Sequence, residues 1–187
     1  MVQPILQISD HLSFPKIVMQ LIETFSTRRL LAERLCFQHL NELYRMHQDQ
    51  QVMATLGGVR SDEATRLLIL NNLNHWQQYE FGLWVFRDKT NHQFVGRAGL
   101  RNINVEGNNE IELAYALMAN FWGKGLATEM GEEILKIGFE LLNLPEIVCF
   151  TLTTNKASQR VMEKLGFKYE RDIIHANLPH LFYRLTV

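Results

Sequence analysis

Residues 109–153 constrain the fold most. In "NEIELAYAL", Ile111, Leu113, Tyr115 and Leu117 alternate with Glu110, Glu112, Ala114 and Ala116, the period of a strand. The stretch "NFWGKGLATEM", Asn120 to Met130, then sets two glycines around a lysine. After it, Ala127, Met130, Ile134, Ile137 and Leu141 recur at helical spacing, with Glu129, Glu132, Glu133, Lys136 and Glu140 opposite. "NLP" ends that helix and "EIVCFTLT" reads as another strand. A strand, a helix and a strand in succession make a parallel crossover.

The rest of the chain reads differently. "TRRLLAERL" (Thr27–Leu35) is expected as a first strand and "FQHLNELYRMHQD" as a short helix. "SDEATRLLILNNLNHWQQY" follows as a second helix, with Ser61 as N-cap and two acids in its first turn. "FGLWVFRD" and "QFVGRAGLRNI" are strands joined by the polar turn "KTNH". Three strands in sequence suggest an antiparallel meander. "NKASQRVMEKLGF" is a short helix with Ala157, Val161 and Leu165 on one stripe and Gly166 as its stop; the tail supplies one or two closing strands. The sum is an α/β fold with a single mixed, mostly antiparallel sheet flanked by helices. Residues 24–187 form this domain and residues 1–23 an appendage, with a helix expected from Pro15 that puts Ile17, Val18, Leu21 and Ile22 on one side.

Composition excludes several classes. A formal net charge of −1, from 19 basic and 20 acidic residues, lacks the excess of a general nucleic-acid binder. No segment approaches the roughly 20 apolar residues that span a bilayer, and the N-terminus lacks the features of a signal peptide, so a cytoplasmic protein is expected. Cys36 and Cys149 each fall in an apolar, strand-like run and are expected as buried thiols. His175 and His180, the nearest histidine pair, lack metal-ligand spacing, and no metal site is expected.

The glycine stretch points to an anion. A helix start exposes unpaired N–H groups and the positive end of the dipole, and glycines let a ligand approach the backbone. Gly123 to Thr128 supply such a loop. A dinucleotide fingerprint fails because its third position is Thr128, and a Walker A loop fails because position 118 is Met. A phosphate site of another kind and a tight turn with no ligand both remain.

With the blocks "TRRLLAERL", "FVGRAGLRNI", "ELAYALMANFWGKGLATEM" and "NKASQRVMEKLGF" in this order, the chain resembles the GCN5-related N-acetyltransferases, in their ribosomal-protein-alanine acetyltransferase-like branch. The pyrophosphate signature Q/R-x-x-G-x-G/A of that family is met by Gly125 and Ala127, with Trp122 in place of Gln/Arg, a usual form in the branch. The resemblance implies a sheet splayed at the acetyl-CoA site. It implies that backbone from Trp122, Gly123, Lys124, Gly125, Leu126, Ala127 and Thr128 holds the pyrophosphate. It places the pantetheine arm near Leu117 and Met118, and Asn155 against that arm. No metal is implied. The acceptor is an amine, a small molecule or a protein N-terminus; the oligomeric state, monomer or homodimer, stays open.

Direct attack of an amine on a thioester makes three demands: a base, an oxyanion donor and a proton for the thiolate. Glu112 is the candidate base, on the face it shares with Ala114 and Ala116; a salt-bridged strand residue is the alternative. A backbone N–H near Leu117 is the implied oxyanion donor. The family's tyrosine in N-x-x-A-x-x-L-Y is replaced by Met162, and Ser158 is the candidate substitute. His75, Trp76, Phe81 and Trp84 could wall the acceptor pocket or sit in the core, with Trp76 expected in the core. Arg97 and Arg101 could face an acidic acceptor or lie on a solvated strand face. The leading function is acetyl transfer from acetyl-CoA to a primary amine. A non-catalytic CoA-binding sensor or structural subunit is the alternative, and a nucleotide-dependent enzyme a third.

Overall fold

The computed structural model describes residues 22–187. The helix expected from Pro15 lies outside them, although Ile22 is buried and its carbonyl accepts the Trp84 indole N–H at 2.6 Å. The strands are β1 (Thr24–Ser26), β2 (Leu30–Arg34), β3 (Leu83–Asp88), β4 (Phe94–Val105), β5 (Asn108–Leu117), β6 (Glu146–Leu152), β7 (Lys168–His175) and β8 (Leu178–Thr186). The helices are α1 (Leu40–Gln48), α2 (Gln50–Met53), α3 (Asp62–Tyr79), α4 (Leu126–Lys136) and α5 (Lys156–Lys164).

One eight-stranded sheet runs β1-β2-β3-β4-β5-β6-β8-β7. Every neighbouring pair is antiparallel except β5 with β6, which is parallel. The alternation in β5 decides the layers. Leu113 and Leu117 join the cluster with Met130 and Ile134 of α4, while Ala114 and Ala116 join Leu43 and Met46 of α1 and Ile69 of α3. Ser61 caps α3 as expected, its Oγ accepting from Ala64 N–H at 3.1 Å. Gly166, at φ +90°, stops α5, and the Phe167 N–H returns to the Met162 carbonyl at 3.0 Å.

Four expectations need correction. Thr27–Leu35 is not one strand: Thr27 to Arg29 form the turn of the β1–β2 hairpin, with the Leu30 N–H donating to Thr27 Oγ1. Beyond α4 the helix widens into a π-helical turn over Ile137–Leu141, where the Leu142 N–H reaches the Ile137 carbonyl. The extra residue slips the apolar phase by one, so Leu141 is 39% exposed and Leu142 only 7%. In α5 the inward residues are Met162 and Gln159, with Leu165 after it, while Ala157 is exposed; Gln159 turns in because its amide donates to the carbonyls of Leu152 and Thr153. Cys149 is buried in β6, but Cys36 is only partly buried and lies past β2, its N–H donated to His39 Nδ1.

Candidate active site

The parallel pair β5–β6 is joined at a single position, Glu112 opposite Val148. Beyond that rung the strands part. The Met118 N–H donates to the Val95 carbonyl, so Met118–Val95 is a hydrogen-bonded pair of the β4–β5 ladder. Such pairs alternate along an antiparallel ladder, so Leu117 and Tyr115, opposite Gly96 and Ala98, turn their N–H and C=O groups away from β4. They face the side of β6, at a level where no β6 residue pairs with them. A cleft of about 680 Å³ opens there, between the β5–β6 gap, the glycine loop and the start of α5.

The loop has the backbone of an anion nest. Gly123 and Gly125 stand at φ +72° and +74°, a region that side chains disfavour, and a methyl added at Gly123 would touch nothing within 4 Å. No side chain caps α4. Its first internal bond runs from the Glu129 N–H to the Gly125 carbonyl, which leaves the N–H groups of Leu126, Ala127 and Thr128 for a ligand. The loop is braced from behind. Glu129, expected on the solvated face of α4, instead accepts from the Thr27 hydroxyl, the Arg29 N–H and Arg29 Nε, each at 2.6 Å. Arg29 also donates to the Lys124 carbonyl at 2.9 Å. These hydrogen bonds hold the Glu129 carboxyl below its ordinary range against the opposing effect of burial.

Other backbone near the gap is already committed. The Trp122 indole N–H donates to the Leu117 carbonyl at 2.9 Å, leaving the Leu117 N–H open. Met118 gives its N–H to Val95 and accepts from the Phe121 N–H, so both its backbone groups are used within the chain. Asn155 caps α5, its Oδ1 accepting from the Ser158 N–H at 3.1 Å.

Glu112 is 4% exposed and lines the cleft, with Arg101 Nε donating to its Oε2 at 2.5 Å. Ser158 also lines the cleft, and its Oγ lies 2.8 Å from the Tyr115 hydroxyl. Burial pushes the Tyr115 phenol well above its usual range, so it keeps its proton. Burial, with Glu112 nearby, does the same to the Cys149 thiol. His175 and His180 reach the cleft from the β7–β8 hairpin.

Known proteins share this fold. The acetyltransferase (GNAT) domain family matches residues 29–168. The chain belongs to the GNAT acetyltransferases. Protein YkkB of Bacillus subtilis is 30% identical over 135 residues, 72% of this chain and 78% of the relative. An acetyltransferase from Agrobacterium tumefaciens superposes with a TM-score of 0.79 at 22% identity, covering 89% of this chain and 95% of the other. RimL, a ribosomal L7/L12 α-N-protein acetyltransferase solved with coenzyme A, superposes at 0.75 and 16% identity, covering 88% and 98%. At these identities the structural likeness is one of fold. As a GNAT enzyme the chain is an acetyl-CoA-dependent acetyltransferase.

Within this GNAT frame the cleft gathers Glu112, Leu117, Trp122, Gly123, Gly125 to Thr128, Asn155 and Ser158. Met162 is fully buried and faces the core, so the vacant tyrosine position does not open on the cleft. Trp76, Phe81 and Trp84 are core residues, and His75 is held by the Phe81 carbonyl and the Asn102 N–H, so none of the four walls the cleft. Arg97 is buried, which overturns a solvated strand face for it. Three features of the site carry no local sequence signal. The spacing of Tyr115 puts it on the face of Leu113 and Leu117, and nothing in that spacing shows that its hydroxyl reaches Ser158 on α5. His175 and His180 meet the cleft only because the β7–β8 hairpin folds back. The Thr27–Arg29 brace depends on an acid 100 residues away, which periodicity placed in solvent.

Proposed function

We propose that this enzyme transfers the acetyl group of acetyl-CoA to a primary amine by direct attack in the β5–β6 cleft. One observation carries the reading: the unpaired Leu117 N–H, the glycine loop and the Tyr115–Ser158 pair open on one cleft. The free N–H groups of Leu126, Ala127 and Thr128, with positive-φ glycines before them, fit a pyrophosphate. Asn155 would lie against the pantetheine arm. The thioester supplies the acyl group. Leu117 N–H would receive the oxygen's charge as the carbonyl carbon becomes four-coordinate. Glu112, directly or through a water, would take the proton from the attacking nitrogen, and Ser158, backed by Tyr115, would give one to the departing sulfur. Much of the rate would come from holding the two reactants together.

The acetyl-CoA reaction is placed in a reducing cytoplasm, which two free cysteines support. The test is thiol release from acetyl-CoA against a panel of primary amines, with the acetylated amine identified by mass. Thiol release that depends on the amine supports the proposal. A protein that binds CoA tightly yet releases no thiol with any amine would instead be a sensor or structural subunit.

A further inference from the structure

The acceptor end of the cleft carries more positive charge than its own acids neutralise. Arg60, Arg97 and Arg101 line it, and among the described residues Glu112 is the only carboxylate in the lining. Arg101 is paired with Glu112. Among the described residues the Arg60 guanidinium donates only to the Leu56 carbonyl, at 3.3 Å. Arg97 is 6% exposed, its Nε is buried without a partner, and among the described residues no N–H of its guanidinium makes a hydrogen bond or ion pair. A buried, unpaired guanidinium is costly, and a chain that keeps one facing a cleft has a use for its charge.

The position of Arg97 narrows that use. It stands opposite Ala116 in the β4–β5 ladder, so the two side chains share the face of Ala114 and Glu112. Ala116 directly precedes Leu117, whose N–H opens on the gap. An anion on Arg97 would therefore lie within a few bonds of the point where the acyl group changes hands. The glycine loop, which serves phosphate, begins at Gly123, further along the chain beyond the end of β5.

We propose that Arg97, assisted by Arg60, is an anion subsite for the acceptor, and that the acetylated amine bears a carboxylate or phosphate a few bonds from its nitrogen. This rests on the amine-acetylation reading above and deepens it. A guanidinium fork matches either anion, and the experiment separates them.

Thiol release is measured with β-alanine against β-alaninamide, 4-aminobutyrate against its amide, and 2-aminoethyl phosphate against ethanolamine. The charged member of at least one pair should have a KM lower by about tenfold or more, and the pair that shows this assigns the anion. Arg97→Gln should erase the preference, Arg60→Gln should weaken it, and Arg97→Lys should keep part of it. Each variant is first shown to retain the thermal shift given by CoA, which excludes misfolding. Equal use of charged and neutral amines, no turnover of any charged amine by an enzyme that binds CoA, or an unchanged preference in a folded Arg97→Gln variant overturns the subsite. Absence of both a CoA shift and thiol release with every amine overturns the acetylation reading itself.

Discussion

The Tyr115 hydroxyl lies 2.8 Å from Ser158 Oγ and 3.2 Å from the Ser158 carbonyl oxygen, joining β5 to the first turn of α5 across the cleft. Either oxygen of the pair can be the donor, so the Tyr115 hydroxyl can hydrogen-bond to Ser158 Oγ as Ser158 gives up its proton. If the pair acts as one proton source, Tyr115→Phe and Ser158→Ala should each lower kcat by about 10–100-fold, and the double variant should be little worse than either single one. Steady-state thiol release on the four proteins checks this. Losses that multiply would mean the two hydroxyls act separately.

Gly125 should be irreplaceable. Its φ of +74° disfavours any side chain, and its carbonyl accepts the first internal bond of α4. CoA at about 100 times its dissociation constant should stabilise the wild type by roughly 2.7 kcal/mol. Gly125→Val should remove that shift while leaving a folded protein. Glu129→Ala, which frees the Thr27–Arg29 brace, should weaken CoA binding without abolishing it. Melting curves with and without CoA decide both.

Glu112→Gln should lower kcat by about 10²–10⁴, and the loss should shrink as pH rises and more of the amine is already neutral. CoA affinity should hold. Wild-type turnover across the pH range would remove Glu112 from the proposed mechanism.

His47 should make the protein acid-sensitive. The imidazole is buried and its Nδ1 lies 2.8 Å from Thr65 Oγ1. The Thr65 hydroxyl already donates to the Ser61 carbonyl, so Nδ1 carries the hydrogen and the partnerless Nε2 is bare. Burial, with the Arg97 and Arg60 charges, pushes its pKa from 6.5 down to about 3. Between those values the unfolded chain binds a proton that the native state refuses, so stability is full above pH 6.5 and falls as pH drops towards 3. From pH 7.5 to 4.5 His47 should account for roughly 2–3 kcal/mol of lost stability. Urea unfolding of the wild type and of His47→Asn at both pH values measures the term; parallel losses in the two proteins would contradict it.

Much of this fold is legible in the sequence. The alternation in β5, the Ser61 cap, the glycine loop and the Gly166 stop are local signals, because each is set by residues within a turn or two of its effect. What was not legible depended on contacts between distant segments. Thr27 leaves its strand because a turn forms around its hydroxyl, which donates to Glu129, a residue distant in sequence. The Leu141 error arises from one inserted residue in a π turn, which no apolar count from outside reveals. In the cleft, loop residues could be named because glycine carries its own conformational signature. Tyr115, Arg97 and the hairpin histidines could not, since a strand's period says which face a side chain takes and not what waits there.

The single rung between Glu112 and Val148 makes the sheet two slabs, β1–β5 and β6–β8, hinged near their middle. Every further rung that β5 and β6 formed would strengthen the sheet and narrow the cleft proposed for the pantetheine arm. Selection for a firmer scaffold and selection for turnover therefore pull in opposite directions along one seam. Substitutions that flatten β6 onto Tyr115 and Leu117 belong to the class that raises the melting temperature and silences the enzyme. A search for stabilised variants of this protein should leave that seam alone.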